Sequence, residues 1–218
     1  MKRFLVILAA VVFVPILATA MVDLAPAPLD LRPQVAANLA VSGVSHQVTA
    51  VLLNYRGYDT LLEIGVLLLA LFGVLAATPA HRDIAPARAE LIQSTLTRLA
   101  VPLMILVAGY LLWAGAFRPG GAFQAGAVLG AAAVLAHLVG LVPGWQHPGL
   151  WLRLGLVMGF VVFLAVAAAT LGQGALLEYP PPLAGTLIVV IEAALTLSLG
   201  LCLSGLFLFL SRGEGVES

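Results

Sequence analysis

The sequence is poor in charged residues. Lys, Arg, Asp and Glu make up 9% of its 218 residues, and 62% are hydrophobic. A soluble domain carries roughly a quarter charged residues, so this chain has too few charges to cover its surface in water. Together with a mean hydropathy of +1.11, this scarcity predicts an integral membrane protein whose surface faces lipid.

The sequence also lacks the patterns that several functional classes need. Ten basic residues balance ten acidic ones without a basic cluster, which argues against nucleic-acid binding. Cys202 is the single cysteine, so there is no disulfide framework and no metal-binding cysteine pair. His46, His81 and His147 lack paired ligand spacing, and no nucleophile–base pattern is present. We therefore expect no enzyme activity, no metal and no cofactor.

What the sequence has instead is long apolar runs. Each approaches or exceeds the roughly 20 residues that a helix needs to cross a bilayer, and a helix satisfies its own backbone groups there. These runs predict an all-α polytopic bundle of about six transmembrane helices, at about 4–22, 61–77, 99–116, 122–142, 151–171 and 184–210. The first run, with Ala18, Thr19 and Ala20 at its end, also resembles a cleavable secretory signal, which would leave five helices.

The basic residues predict the orientation of this bundle. With the N-terminus in the cytoplasm and six crossings, both termini are cytoplasmic, and most of the basic residues fall inside. The inside group is Lys2, Arg3, Arg82, Arg88, Arg98, Arg153 and Arg212, against Arg32, Arg56 and Arg118 outside.

Charged residues cluster where the second span begins. Arg56, Asp59 and Glu63 follow helical spacing, so a helix through them would align all three on one face. One interpretation is an ion-handling face. The other is helix capping, either by a Thr60–Glu63 capping box or by Asp59 with Arg56 as its salt-bridge partner.

A glycine-rich break separates the third and fourth runs. Pro119, Gly120 and Gly121 interrupt the helix and allow close backbone approach, and Phe123, Gln124 and Gly126 follow. Ala127 and Val128 stand where a phosphate-binding loop requires Lys and Ser or Thr, which excludes nucleotide binding. The segment is therefore either a tight hairpin or a non-helical element that contacts a neighbouring subunit.

Glu192 is a carboxylate inside the sixth run, about two turns from its outer end. A charged side chain there costs several kcal/mol unless it is protonated or paired, so Glu192 is a candidate for the ion pathway. The alternative is a structural glutamate that is protonated or hydrogen-bonded to Thr196 and the backbone.

The segment Phe117–Gly126 resembles the Pro-Gly-Gly signature of the MnhB/MrpB subunit of multisubunit Na⁺/H⁺ antiporters. Pro102, Tyr110 and the opening of the last helix at Ala184 extend the resemblance over about 91–210. Upstream, residues 48–63 resemble a block at the C-terminal end of the large subunit of those antiporters, which recurs as a small subunit of membrane-bound hydrogenases. The chain thus resembles two joined modules, at 1–80 and 85–215. Arg118 and Leu62 depart from the family pattern.

The resemblance implies a non-catalytic subunit of a Mrp-type cation/proton antiporter complex in the cytoplasmic (inner) membrane. Its expected partners are the other antiporter subunits, the lipid bilayer and the transported Na⁺ and H⁺. Asp59 and Glu63, with Arg56 tuning them, and Glu192 to a lesser degree would serve the ion pathway. The alternative is a structural subunit of a redox-driven ion pump, such as a membrane-bound hydrogenase or a complex I-like assembly.

Overall fold

A computed structural model describes residues 2–23, 30, 32–77, 91–142, 149–172 and 174–210. Across these ranges the regular structure is helical, with no strand. A 3₁₀ turn follows α2 at Leu39–Val41, and a π-helical turn follows α3 at Val51–Tyr55. The α-helices are α1 Lys2–Val22, α2 Arg32–Asn38, α3 Gln47–Ala50, α4 Gly57–Ala77, α5 Leu91–Ala114, α6 Ala122–Leu138, α7 Leu150–Leu171 and α8 Ala184–Leu210.

The six long helices coincide with the six apolar runs of the sequence. Four of them are long and apolar enough to cross a membrane, at Gly57–Ala76, Leu91–Ala114, Leu150–Leu171 and Ala184–Phe209. Two shorter apolar helices are the stretch Val11–Val22 of α1 and the whole of α6. The all-α membrane bundle is thus confirmed, while the six crossings and the cytoplasmic termini stay predictions. His81, His147 and the junction between the two expected modules lie outside the described residues.

The first compact unit covers residues 1–34 and contains α1. Apolar side chains of α1 such as Phe13, Ile16 and Met21 are exposed, as in a helix that contacts lipid. Beyond α1, Asp30 accepts a hydrogen bond from the Arg32 guanidinium at 2.9 Å. That contact lowers the pKa of the exposed Asp30 carboxyl below its ordinary value.

The second unit, residues 35–218, is built around α8. Apolar residues such as Ile188, Ile191 and Leu199 bury one face of α8 against α4, α6 and α7. Small residues allow the closest of these contacts, since a Cβ on Gly126 of α6 would lie 2.7 Å from Leu199 Cβ. The small-residue spacing seen in the sequence therefore brings α6 against α8.

The side of α5 away from the bundle is the least covered surface of this unit. Leu103, Leu106 and Trp113 on that helix are more than half exposed. Such a surface suits lipid or another protein within the membrane.

Candidate functional site

Glu192 lies on the buried face of α8. It is about 12 Å along the helix from Ala184, at a rise of roughly 1.5 Å per residue, and is 6% exposed. The hydroxyl of Thr196 donates to the Glu192 backbone carbonyl at 2.7 Å. That bond leaves the side-chain carboxylate available for other partners.

The carboxylate of Glu192 meets the first turn of α6. Its Oε1 atom lies against Gly121, beside the backbone N–H of Ala122, the first residue of α6. The N-terminus of a helix carries unsatisfied N–H groups and a partial positive charge, so it favours a negative group there. The end of the Pro-Gly-Gly break thus faces the one carboxylate of α8.

Two glycines make this contact possible. Gly121 has φ +104° and ψ −172°, a backbone conformation that residues with a side chain rarely adopt. A Cβ on Gly121 would lie 2.6 Å from Glu192 Oε1, and one on Gly120 would lie 2.5 Å from the Leu111 carbonyl oxygen. The Gly121 N–H donates to that same oxygen at 2.8 Å. The glycine pair therefore folds the break back onto the end of α5 and leaves room for the carboxylate.

A segment far away in the sequence covers the same place. The backbone N–H groups of Ser45 and His46 donate to the Ala116 carbonyl at 2.8 and 3.1 Å. The Thr49 hydroxyl donates to the Gly115 carbonyl at 2.6 Å, and His46 Nδ1 lies 3.2 Å from Thr49 Oγ1. These contacts hold residues 45–49 against the turn between α5 and α6.

A cavity of about 190 Å³ lies between these elements. Its walls combine apolar side chains with a few polar groups that converge on it, the pattern of a small binding site. Among the described residues that line it, His46 and Glu192 are the titratable ones, and Thr49, Thr60 and Gln124 are polar and neutral. Pro119, Gly120, Gly121 and Phe123 complete the side formed by the break.

The acidic residues of α4 lie elsewhere. Asp59 and Glu63 are exposed on the surface of this chain and are absent from the cavity lining. Arg56 Nε contacts Asp59 Oδ2 at 2.6 Å, so the expected salt bridge forms. Arg56 itself interrupts the helix, with φ −124° and ψ 27°, and does not continue the face of α4.

The Thr60–Glu63 capping box is not seen. Helix α4 begins at Gly57, which places Thr60 inside its first turn. The Thr60 hydroxyl donates instead to the Leu52 carbonyl at 2.7 Å. Thr60 therefore holds the π-helical turn against α4 and does not start the helix.

The sequence pointed to part of this site. It singled out Glu192 and the Pro-Gly-Gly break separately, and the structure brings them together, except that Gly126 lies between α6 and α8. Residues His46 and Thr49 were missed, because neither belongs to a motif and their partners are distant in the chain. Within the described residues no group of three His, Cys, Asp or Glu side chains could hold a metal ion.

These features define a multi-pass, all-helical membrane protein with a buried carboxylate beside a mainly apolar cavity. The family described as a domain related to the MnhB subunit of Na⁺/H⁺ antiporter matches residues 92–209. Since this match spans more than half of the chain, the chain belongs to the MnhB family, which confirms the expected family. No curated protein matches the chain. The N-terminal module stays a prediction.

Two solved structures contain similar chains. One is the membrane-bound sulfane sulfur reductase, an archaeal respiratory membrane complex, with a TM-score of 0.73 and 25% identity over 96% of this chain and 97% of that one. The other is the Mrp complex from Dietzia sp. DQ12-45-1b, with a TM-score of 0.65 and 22% identity over 94% of this chain and 26% of that one. The second likeness concerns the fold alone. The first likeness, together with the family match, supports a membrane subunit of an antiporter-like complex as the class of this protein.

Proposed function

We propose that this chain is a non-catalytic subunit of a cation/proton antiporter complex in the cytoplasmic membrane. It would contribute to the path of Na⁺ or H⁺ and to the assembly of the complex with its other subunits. Membership of the MnhB family supports the kind of complex. The observation that carries a role in the ion path is the buried Glu192 carboxylate beside the cavity.

Glu192 has the surroundings that an exchangeable proton or cation site needs. An isolated ionised carboxylate within a membrane is costly, so it is normally paired or protonated. Here the Ala122 N–H and the N-terminus of α6 stabilise the charged form, and the cavity gives its oxygens space for water or a cation. Glu192 is therefore suited to both gain and loss of a proton.

Asp59 and Glu63 we assign to a contact with another subunit, where they would continue the ion pathway that the sequence predicts for them. Both belong to α4, and they project from the surface of this chain one helical turn apart. Glu63 lies within the apolar span, where a carboxylate that faced lipid would be costly. A polar surface of a partner would remove that cost. Arg56 would then hold Asp59 in place at the edge of this contact.

The two-module organisation at 1–80 and 85–215 is part of the proposal. The fold match to a chain of the Mrp complex extends over 94% of this chain, which supports a likeness that is not limited to 85–215. Co-expression of the two modules as separate chains would test it. We expect them to reassemble and co-purify, and failure of the two fragments to associate would contradict the division.

Sodium-dependent proton exchange in everted vesicles that carry the whole complex tests the ion-path role. We expect Glu192→Gln to lower the exchange rate by about tenfold or more, since a positioned proton-transfer group contributes at least that much. The matched control is Glu178→Gln, an exposed glutamate in the loop before α8, which should exchange like wild type.

The amount of assembled complex is measured in the same vesicles as cation/proton exchange. A variant that fails to assemble is then distinguished from one that assembles but has lost the ion path. Deletion of the gene should abolish exchange. An assembled Glu192→Gln complex with wild-type exchange would exclude the carboxylate from the path.

For the α4 surface, Glu63→Gln should weaken assembly or exchange, and if it changes neither, the contact assigned to Glu63 is wrong.

A redox-driven complex is the second candidate. The match to a chain of an archaeal respiratory membrane complex, which covers 97% of that chain, favours it. In that case this chain would serve the ion-pumping part and bind no redox centre itself. Co-purifying iron–sulfur subunits would favour this candidate, and co-purifying antiporter subunits without them would favour the first.

A further inference from the structure

We propose that His46 is the proton-transfer partner of Glu192 across the cavity, and that it connects the carboxylate to water at the predicted outer surface. This inference rests on the proposed ion-path role of Glu192 and adds the route by which the proton enters or leaves. His46 belongs to no motif of the family resemblance, and its role follows from the contacts that place it.

The hydrogen bonds of His46 fix which ring nitrogen can take a proton. The Thr49 hydroxyl has a single hydrogen, and it donates this hydrogen to the Gly115 carbonyl at 2.6 Å. At the 3.2 Å contact between the two side chains, His46 Nδ1 must therefore be the donor. A neutral imidazole with hydrogen on Nδ1 has its free lone pair on Nε2. Nε2 is thus the proton acceptor of this ring.

The cavity provides the medium between the two groups. A cavity needs roughly 10–15 Å³ of space to hold one water molecule, so this cavity of about 190 Å³ has space for several. The polar side chains of Thr60 and Gln124 on its wall can hydrogen-bond such waters. Water-mediated transfer therefore needs no direct contact between His46 and Glu192.

The other charged groups nearby do not compete for this role. Arg118 in the Pro-Gly-Gly break and Arg56, Asp59 and Glu63 beside the second span are all exposed, and none lines the cavity. Tyr179, before α8, and Glu178 are also absent from the lining. Among the described residues that line the cavity, proton exchange is thus limited to His46 and Glu192.

The proposed transfer moves one proton from Glu192 to His46. The Glu192 carboxyl gives its proton to a cavity water, and the water chain passes a proton to His46 Nε2, which leaves a carboxylate and an imidazolium. The Ala122 N–H stabilises the carboxylate, and His46 keeps its Nδ1 hydrogen, which it donates to Thr49 Oγ1. His46 is partly exposed, so its imidazolium can release the proton to outside water, and the reverse sequence loads the site.

Time-resolved infrared spectroscopy of the whole complex in nanodiscs tests the route. The carboxyl band that Glu192→Gln removes identifies Glu192, and its hydrogen–deuterium exchange is followed after a jump into D₂O. We expect His46→Gln, which keeps a donor for Thr49, to slow this exchange by about tenfold or more. The control is His137→Gln, since His137 lies near the other end of α6, about 22 Å from its start, and is absent from the cavity lining.

The outcomes separate this route from the proposed function. Equal exchange rates in wild type and His46→Gln would overturn it, and so would the absence of any carboxyl band that depends on Glu192. Slower exchange in His46→Gln alone would support it, even in a complex without cation/proton antiport, and in that case only the antiporter function would fail. In a third outcome, Glu192→Gln abolishes antiport, while His46→Gln changes neither antiport nor the hydrogen–deuterium exchange of the carboxyl. That outcome would support the proposed function and contradict the route through His46.

Discussion

At the scale of single residues, the contact between Gly121 and Glu192 explains why the Pro-Gly-Gly break has glycine at its last position. The Glu192 carboxylate occupies the space where a side chain of residue 121 would lie. The backbone of Gly121 also has a positive φ that costs other residues roughly 1–3 kcal/mol. The same residue therefore ends the break, caps the N-terminus of α6 and leaves space for the carboxylate.

We predict that Gly121→Ala destabilises the protein by at least about 1–3 kcal/mol, from the backbone strain alone. Displacement of the Glu192 carboxylate by the new methyl group adds to this loss. Thermal unfolding of the purified protein in mild detergent measures it. Gly109→Ala in α5 is the control, because a Cβ there meets nothing within 4 Å. Ala should be neutral or slightly stabilising in that helix. A Gly121→Ala protein that unfolds at the wild-type temperature would contradict the described contact.

Single residues differ in how far the sequence reveals them. Glu192 could be singled out because a carboxylate within an apolar run is energetically exceptional. His46 could not, since a lone histidine in a loop has no pattern that links it to a carboxylate near the other end of the chain. Its partners become visible only when Ala116 and Gly115 accept hydrogen bonds from residues 45–49.

At the scale of elements, the polypeptide between Gln47 and Ala77 is a broken helix. The Arg56 N–H bonds to the Val51 carbonyl at 2.7 Å, which closes the π-helical turn, and α4 then starts afresh at Gly57. The break leaves the Leu52 carbonyl for the Thr60 hydroxyl. In the sequence, the polar cluster at Arg56–Glu63 fitted either an ion-handling face or a helix cap. Neither interpretation includes a π-helical turn bonded to Thr60, because the local pattern does not show which carbonyl a π-helical turn leaves free.

Thr60→Val should destabilise the protein by about 0.5–1.5 kcal/mol, because the Leu52 carbonyl loses the hydrogen bond from the buried Thr60 hydroxyl. The comparison is Thr95→Val in α5, where an exposed hydroxyl bonds to Leu91 within one helix at 2.8 Å. Both variants are measured by chemical unfolding in the same detergent. A Thr60→Val loss no larger than that of Thr95→Val would show that the bond does not hold the break together.

At the scale of the whole molecule, hydropathy predicted the helices well, because each long apolar run has few structures open to it in a membrane. Hydropathy could not predict that α8 lies at the centre of the second unit. Helix α8 has apolar residues on all of its faces, and helix surfaces that face lipid have a composition similar to those that face protein. The site between α6 and α8 follows from that packing, so it was out of reach of the sequence.

The predicted orientation can be tested with cysteine labelling, since Cys202 is the single cysteine and is 2% exposed. Gly174→Cys should react with a membrane-impermeant maleimide in intact cells, because its loop is predicted to lie outside. Gly149→Cys, at the start of α7, should react only in everted vesicles. The reverse labelling pattern would show that the topology is inverted. Reaction of both introduced cysteines from the same side would show that α7 does not cross the membrane.

Membership in a larger assembly is tested most directly by purification of the full-length protein in mild detergent, followed by mass spectrometry of the proteins that remain bound. We predict that several other integral membrane subunits co-purify with it in fixed proportion, among them large ion-translocating subunits. A protein that purifies alone, as a folded monomer, would contradict its assignment as a subunit of an ion-translocating complex.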